Sequence, residues 1–174
     1  EAVTADEIAA AAEVSIGTFY SYFRNKRQVF LTLMAACIEW LAGLNIAGID
    51  LSGDARAAIR AIVDRAMTRD ELSYGMRRAW VELLPRDPEL AAFDRQINTL
   101  VYAQILIAAR RAVASGITHP DLDLEATCWA IAILLDRDWQ IEPLPGTVPP
   151  ETVTRAHHAL ADMVYHALIR EMPR

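Results

Sequence analysis

Between residues 15 and 26 the chain gathers hydroxyls, phenols, one glycine and one ammonium group: Ser15, Gly17, Thr18, Tyr20, Ser21, Tyr22 and Lys26. Short hydroxyls and phenols donate hydrogen bonds to phosphate oxygens, and a glycine lets a foreign backbone come close. Ile16 offers the kind of apolar contact that a thymine methyl takes. Lys26 is the only lysine in the chain and opens the next helical segment, where backbone N–H groups already favour an anion. The set suits a helix pressed against a phosphate backbone; the plain alternative is an ordinary helical hairpin. An enzyme is not expected, because the sequence holds no nucleophile elbow, phosphate loop, paired catalytic carboxylates or HExxH.

The elements that must position these groups read as helices throughout, so the fold class is all-α. Thr4 caps a helix over residues 5–12, with Asp6 and Glu7 in its first turn where the helix dipole favours them. Ser15 caps a second over 16–23, and Asn25 a third over 26–44 with an apolar stripe through Val29, Phe30, Leu33, Met34, Cys37, Ile38 and Leu41. The first two have helix–turn–helix dimensions, and Ile8, Ala12, Val14, Phe19 and Phe23 are expected to form their small core. Gly43, Gly48 and Gly53 then interrupt the pattern. Further helices are expected from Asp54, over 72–84, from Pro88 to Gly116, over 122–141, and over 151–171 after the proline-rich loop 143–150. This predicts a module over 1–45 and a helical ligand-binding and dimerisation domain over 46–174.

In that second part, polar groups among apolar helices mark a candidate small-molecule site. Asn98, Tyr102 and Ile105 share one face of the long helix; Trp129, Ile133 and Asp136 share a face of the next; Met76 and Trp80 are placed to close the same cavity. The charge-poor, aromatic surroundings favour an apolar or aromatic effector. Between Ala126 and Leu135 only Thr127 is polar, so this helix needs cover on two sides. With the last helix it suggests a twofold homodimer through a four-helix bundle. His158, Asp162 and His166 recur every four residues, a spacing a metal could use, but with Arg155 and Arg170 beside them a solvated polar face is the preferred reading.

Apolar residues make up 53% of the sequence, enough for a sizeable core, and the net charge of −6 argues against binding nucleic acid over the whole surface. Cys37 and Cys128 match no metal spacing and are expected to be reduced core thiols of a cytoplasmic protein. No apolar run is expected to reach the length of a membrane span, and no cofactor is expected.

Taken together, Thr4, Ile8-Ala9, Ala12, Val14-Ser15, Gly17-Thr18-Phe19-Tyr20, Tyr22-Phe23 and Asn25-Lys26 resemble the signature of the tetracycline-repressor (TetR) family of transcriptional regulators. The resemblance covers about 23 residues; the stretches DPELAAF and ARRAVASGI are weaker signals. It implies an all-helical homodimer whose N-terminal module binds double-stranded operator DNA, with effector binding and dimerisation left to the C-terminal helices. Carried over by position, Thr18, Tyr20, Tyr22 and Lys26 contact phosphates and Ile16, Gly17 and Ser21 lie near base edges, with Thr4 and Ser15 alongside. Two departures stand out. Glu13 occupies a turn position where the family usually has glycine, which implies strain or a different turn. The family's helix before Thr4 is missing, which suggests a truncated N-terminus. Residues 1–45 carry five acidic against three basic side chains, a net of −2, so the rival reading is a helical small-molecule-binding protein without DNA binding.

Overall fold

The computed structural model describes residues 4–67, 80–140 and 148–170; for residues 37, 136–140 and 150 the description is of the backbone alone. The chain divides into two compact units, Glu1–Gly43 and Leu44–Arg174. The first holds α1 (Ala5–Ala11), α2 (Ile16–Tyr22) and α3 (Lys26–Gly43). The second holds a 3-10 turn (Ile46–Gly48), α4 (Ala55–Met67), α5 (Pro88–Ala114), α6 (Leu124–Gln140) and α7 (Pro150–Leu168). The fold is all-α. Among the described residues the one β pairing is an isolated bridge between Thr118 and Ile169. Of the helix expected over 72–84, only a turn at 80–83 falls within the described residues.

In the first unit, Ala9 and Phe19 are the buried pair that joins α1 to α2. Ile8 and Phe23 are half-buried, while Ala12 and Val14 are exposed rather than core. The reason is the turn. Its hydrogen bonds run from Glu13 N–H to Ala10 O (3.1 Å) and from Val14 N–H to Ala9 O (3.0 Å), which rolls residues 12–14 outward. Helix α3 is apolar over much of its circumference; Met34 is buried and Leu33 is exposed. Contrary to the expectation from the sequence, Lys26–Gly48 is long and apolar enough to cross a membrane by length and composition, with a mean hydropathy of 1.8 over its most apolar 18 residues. That test is weak for a single helix near an N-terminus, since core helices pass it too.

The second unit is built where small side chains let helices approach. Ala109 and Ala112 of α5, Cys128 of α6 and Ala161 of α7 are almost completely buried, and Ile59, Val63, Ile105 and Ile131 fill the space around them. Helix α5 packs on α6, and α4 on α7. Burial pushes the Cys128 thiol above its usual range, in keeping with an inert core residue. Helix α5, about 40 Å long at 1.5 Å per residue, starts on Asp87, whose carboxylate accepts from the Glu89 and Leu90 N–H groups. It ends on Gly116 at φ 70, a left-handed conformation that glycine adopts without penalty.

The polar row of α7 lies at a half-exposed rim and finds partners there. His158, Asp162 and His166 lie against a matching row on α4, Asp64, Arg60 and Arg56, with the two helices antiparallel. His158 Nε2 is 3.7 Å from Asp64 Oδ1, and Asp162 is 3.6 Å from both Arg56 and Arg60. Arg56 also reaches His166 Nε2 at 2.9 Å and lies over the Tyr165 ring. The expected polar face stays partly solvated and gains partners: the apolar residues of α4 and α7 draw the helices together and carry the polar rows to the rim. Among the described residues no three His, Cys, Asp or Glu side chains are grouped to hold a metal. Helix α7 stops at Leu168, short of the expected end, because Arg170 N–H donates to Ile117 O (2.8 Å) beside the Thr118–Ile169 bridge.

Two substitutions separate these contributions. Ile59→Ala is expected to lower the unfolding free energy by about 2–4 kcal/mol. His158→Gln at the half-exposed rim is expected to change it by less than about 1 kcal/mol. Chemical denaturation of both variants checks the order; a larger loss at His158 would place the weight on the polar rows.

Candidate nucleic-acid interface and effector residues

Helix α2 is held by its own hydroxyls. Ser15 Oγ accepts from Thr18 N–H at 3.0 Å and pairs with Thr18 Oγ1 at 2.9 Å, and Ser21 Oγ donates to Thr18 O at 2.6 Å. Thr4 works the same way in α1: its Oγ1 accepts from Glu7 N–H, and Glu7 Oε2 accepts from Thr4 N–H at 2.7 Å. The Thr4 backbone bond, ahead of its side-chain bond, holds the Glu7 carboxyl below the usual range. Thr4, Ser15, Thr18 and Ser21, expected as DNA contacts, thus each carry a local structural bond already.

What α2 presents outward is different in kind. Tyr22 is 74% exposed, Tyr20 57% and Ile16 39%, while Phe19 turns inward against Phe23 with ring centroids 5.7 Å apart. A Cβ added to Gly17 would meet only Ser15 Oγ, at an ordinary 3.7 Å. Nothing inside the unit requires glycine there, so its bareness is available to the outside. Lys26 is exposed at the start of α3. The entry to α3 is braced by Asn25 Oδ1, which accepts from Gln28 N–H at 3.0 Å, and by Gln28 Oε1, which accepts from Arg24 N–H at 2.7 Å. The turn before α2 holds Glu13 at φ 56. The strain expected from a non-glycine residue is present, on the order of 1–2 kcal/mol.

The residues expected to line an effector site fall into separate places. Trp80 is buried, donates from Nε1 to Asp94 Oδ1 at 3.0 Å and packs edge-on against Phe93. Asn98 Nδ2 donates to Asp94 Oδ2 at 3.1 Å. Tyr102 meets Trp129 edge to face at 5.6 Å. Ile105 belongs to the core, whereas Trp129 and Ile133 are 54% and 46% exposed on the outer side of α6. Met76 and the Asp136 side chain lie outside the described residues. Asp94, unremarked in the sequence, is the centre of the first group; its spacing of four from Asn98 on one helix was the available signal. Burial, opposed by the Trp80 bond and by Arg95, pushes its carboxyl above the usual range.

Among the described residues two grooves lie on the second unit, and neither is lined by these side chains. One of ≈ 400 Å³ runs between α6 and α7, past Ala126, Ala130, Leu134, Met163 and Ala167. One of ≈ 620 Å³ lies along α5, past Arg95, Gln96, Thr99 and Leu100.

A capped helix–turn–helix module and a separate all-helical unit have the layout of regulators that pair a DNA-binding module with a helical domain. Residues 1–33 match the family of bacterial regulatory proteins described as the tetR family. The chain is 25% identical over 173 residues to the HTH-type transcriptional regulator EthR of Mycolicibacterium smegmatis, covering 95% of this chain and 78% of that protein. Its fold is similar to that of the ketosteroid transcriptional regulator KstR2 of Mycobacterium tuberculosis, with TM-score 0.64 and 17% identity over 98% of this chain and 86% of that one. It is also similar to that of a transcriptional regulator from Rhodococcus sp. Rha1, with TM-score 0.62 and 21% identity over 97% and 88% of the two chains. These findings together support a TetR-family transcriptional regulator.

The Asp94 shift has a stability consequence. A carboxyl raised above its unfolded value favours the protonated native state, so its contribution is fullest below the unfolded pKa, about 4, and is lost as pH rises through the raised value. Asp94→Asn keeps an acceptor for Trp80 and should therefore gain stability relative to the parent chain as pH rises from acid to neutral. Denaturation at matched pH values tests this; a gap that moves the other way would mean the two hydrogen bonds outweigh burial.

Proposed function

We propose that this chain is a ligand-responsive repressor: a homodimer that grips operator DNA with α2 and lets go when a small apolar or aromatic effector enters its helical unit. The observation that carries the reading is the face of α2 where Ile16, Gly17, Tyr20 and Tyr22 stay open, while the equally exposed hydroxyls of Ser15, Thr18 and Ser21 brace the helix through local hydrogen bonds. Phenol groups reach phosphates, and Ile16 and Gly17 are suited to base edges. Lys26 supplies charge one helix later. Two such helices in a dimer would address sites about one DNA turn, roughly 34 Å, apart. An effector acts only by preferring one spacing of the two by a few kcal/mol.

The second copy is assigned to the outer faces of α6 and α7. Trp129, Ile133, Leu134 and Met163 are 39–57% exposed there, with Ala126 and Ala130 open between them. An apolar arc of this kind on a helix already buried on its other side fits a four-helix dimer seam. On this reading Trp129 and Ile133 sit closer to the seam than to the effector; Trp80, Asn98 and Tyr102 remain the effector candidates within the described residues, with Asp94 added. The alternative, a helical small-molecule-binding protein without DNA binding, is favoured by one fact, the net charge of −2 over residues 1–45.

Fluorescence anisotropy with the gene's own upstream DNA across a salt series separates the two. Specific binding is expected, about five- to tenfold weaker in Tyr20→Ala. Lys26→Ala should lower the salt slope by about one unit. A folded dimer with no preference for that DNA would favour the alternative. For the seam, Leu134→Asp combined with Met163→Asp is expected to give a monomer by sedimentation; an unchanged mass would assign dimerisation to another face.

A further inference from the structure

Helices α1 and α5 end in the same hydrogen-bonded form but with different residues at the left-handed position. In α5 the residue is Gly116, with Gly116 N–H to Val113 O at 2.9 Å and Ile117 N–H to Ala112 O at 3.3 Å. In α1 it is Glu13, at φ 56, with bonds of 3.1 and 3.0 Å to Ala10 O and Ala9 O. A side chain is disfavoured in that conformation. Nothing local compensates: the Glu13 side chain is exposed and makes no hydrogen bond or ion pair among the described residues. Strain kept without a contact that requires it points to a role outside the unit.

Position says what that role is. Glu13 stands two residues before Ser15, the N-cap of α2. Two residues of extended chain reach about 7 Å at most. Its backbone therefore lies within one Debye length, about 8 Å at physiological ionic strength, of the end of the recognition helix, which keeps its carboxylate in that neighbourhood. Asp6 and Glu7 sit at the far end of α1, and Arg24, Lys26 and Arg27 beyond the far end of α2, so Glu13 is the one charge between residues 8 and 23.

We infer that Glu13 is an electrostatic brake on DNA binding. It repels the phosphates that the start of α2 approaches and lowers affinity for any duplex. Residence then depends on the non-ionic contacts of Ile16, Gly17 and the two tyrosines, which only a matching sequence completes. This inference rests on the DNA-binding reading above.

Two variants divide charge from strain. Glu13→Gln removes the charge and keeps a side chain in the left-handed conformation; Glu13→Gly removes both. Anisotropy is measured with a random duplex and with the upstream duplex across a salt series, and Tm is measured in parallel. Glu13→Gln is expected to bind both duplexes about threefold tighter at low salt, with a slope steeper by about one unit and an unchanged Tm. Glu13→Gly should show the same gain in affinity and a higher Tm. Identical affinity and slope for Glu13→Gln and the parent chain would overturn the brake, as would a gain confined to Glu13→Gly. Binding by none of the three, with all folded by circular dichroism, would overturn the DNA-binding reading and the brake with it.

Discussion

The close approach of helices over small buried side chains is the constraint on which the second unit depends. Ala109, Ala112, Cys128 and Ala161 leave little side chain between helix axes, so Ile59, Val63, Ile105 and Ile131 can fill the rest without voids. The order of the remaining contacts follows. With the apolar faces of α4 and α7 in contact, their flanking rows must meet, and Arg56, Arg60 and Asp64 find His166, Asp162 and His158. With α5 and α7 fixed, their ends meet too, and a single bridge between Thr118 and Ile169 closes the chain behind α7. The half-exposed ion pairs add modestly to this; they select the antiparallel register more than they hold it.

The first unit solves a different problem with few residues. Helices of seven residues are too short to persist alone, so each needs a cap and a buried anchor. Thr4 with Glu7 and Ser15 with Thr18 supply the caps, and Ala9 against Phe19 the anchor. With the exposed hydroxyls engaged in local bonds, phenols, one isoleucine and a bare glycine remain uncommitted on α2. On the proposed reading, such a surface would engage DNA with little charge of its own, and Glu13 would take it further in that direction. A module with this charge balance would then rely on fit more than on attraction, in a chain whose net charge is −6.

What could be read in advance followed from local rules. Helix starts at Thr4, Ser15 and Asp87 rest on side-chain oxygens that reach N–H groups two or three residues on, and each forms as expected. The strain at Glu13 was visible because the left-handed turn is set by the chain within a few residues, and the family's signature is compact enough to be seen whole. The interior of the effector unit was not visible in the same way. Asn98, Tyr102 and Ile105 do share a helix face, yet Asn98 spends its amide on Asp94 one turn earlier, and Ile105 turns into the core.

The sequence by itself determined the helices, their caps, the family signature and the alternation of polar and apolar faces, because each depends on neighbours within about one turn. The tertiary structure alone decided what those faces meet. A spacing of four places His158, Asp162 and His166 on one side of α7, but solvent, a metal and a row of arginines on another helix all suit that spacing equally. Only the packing of α7 on α4, an interaction across roughly a hundred residues of chain, chose the arginines. Likewise, the run from Ala126 to Leu135 showed only that α6 needs cover on two sides, and burial alone distinguished the side that holds Cys128 in the core from the side that leaves Trp129 and Ile133 open.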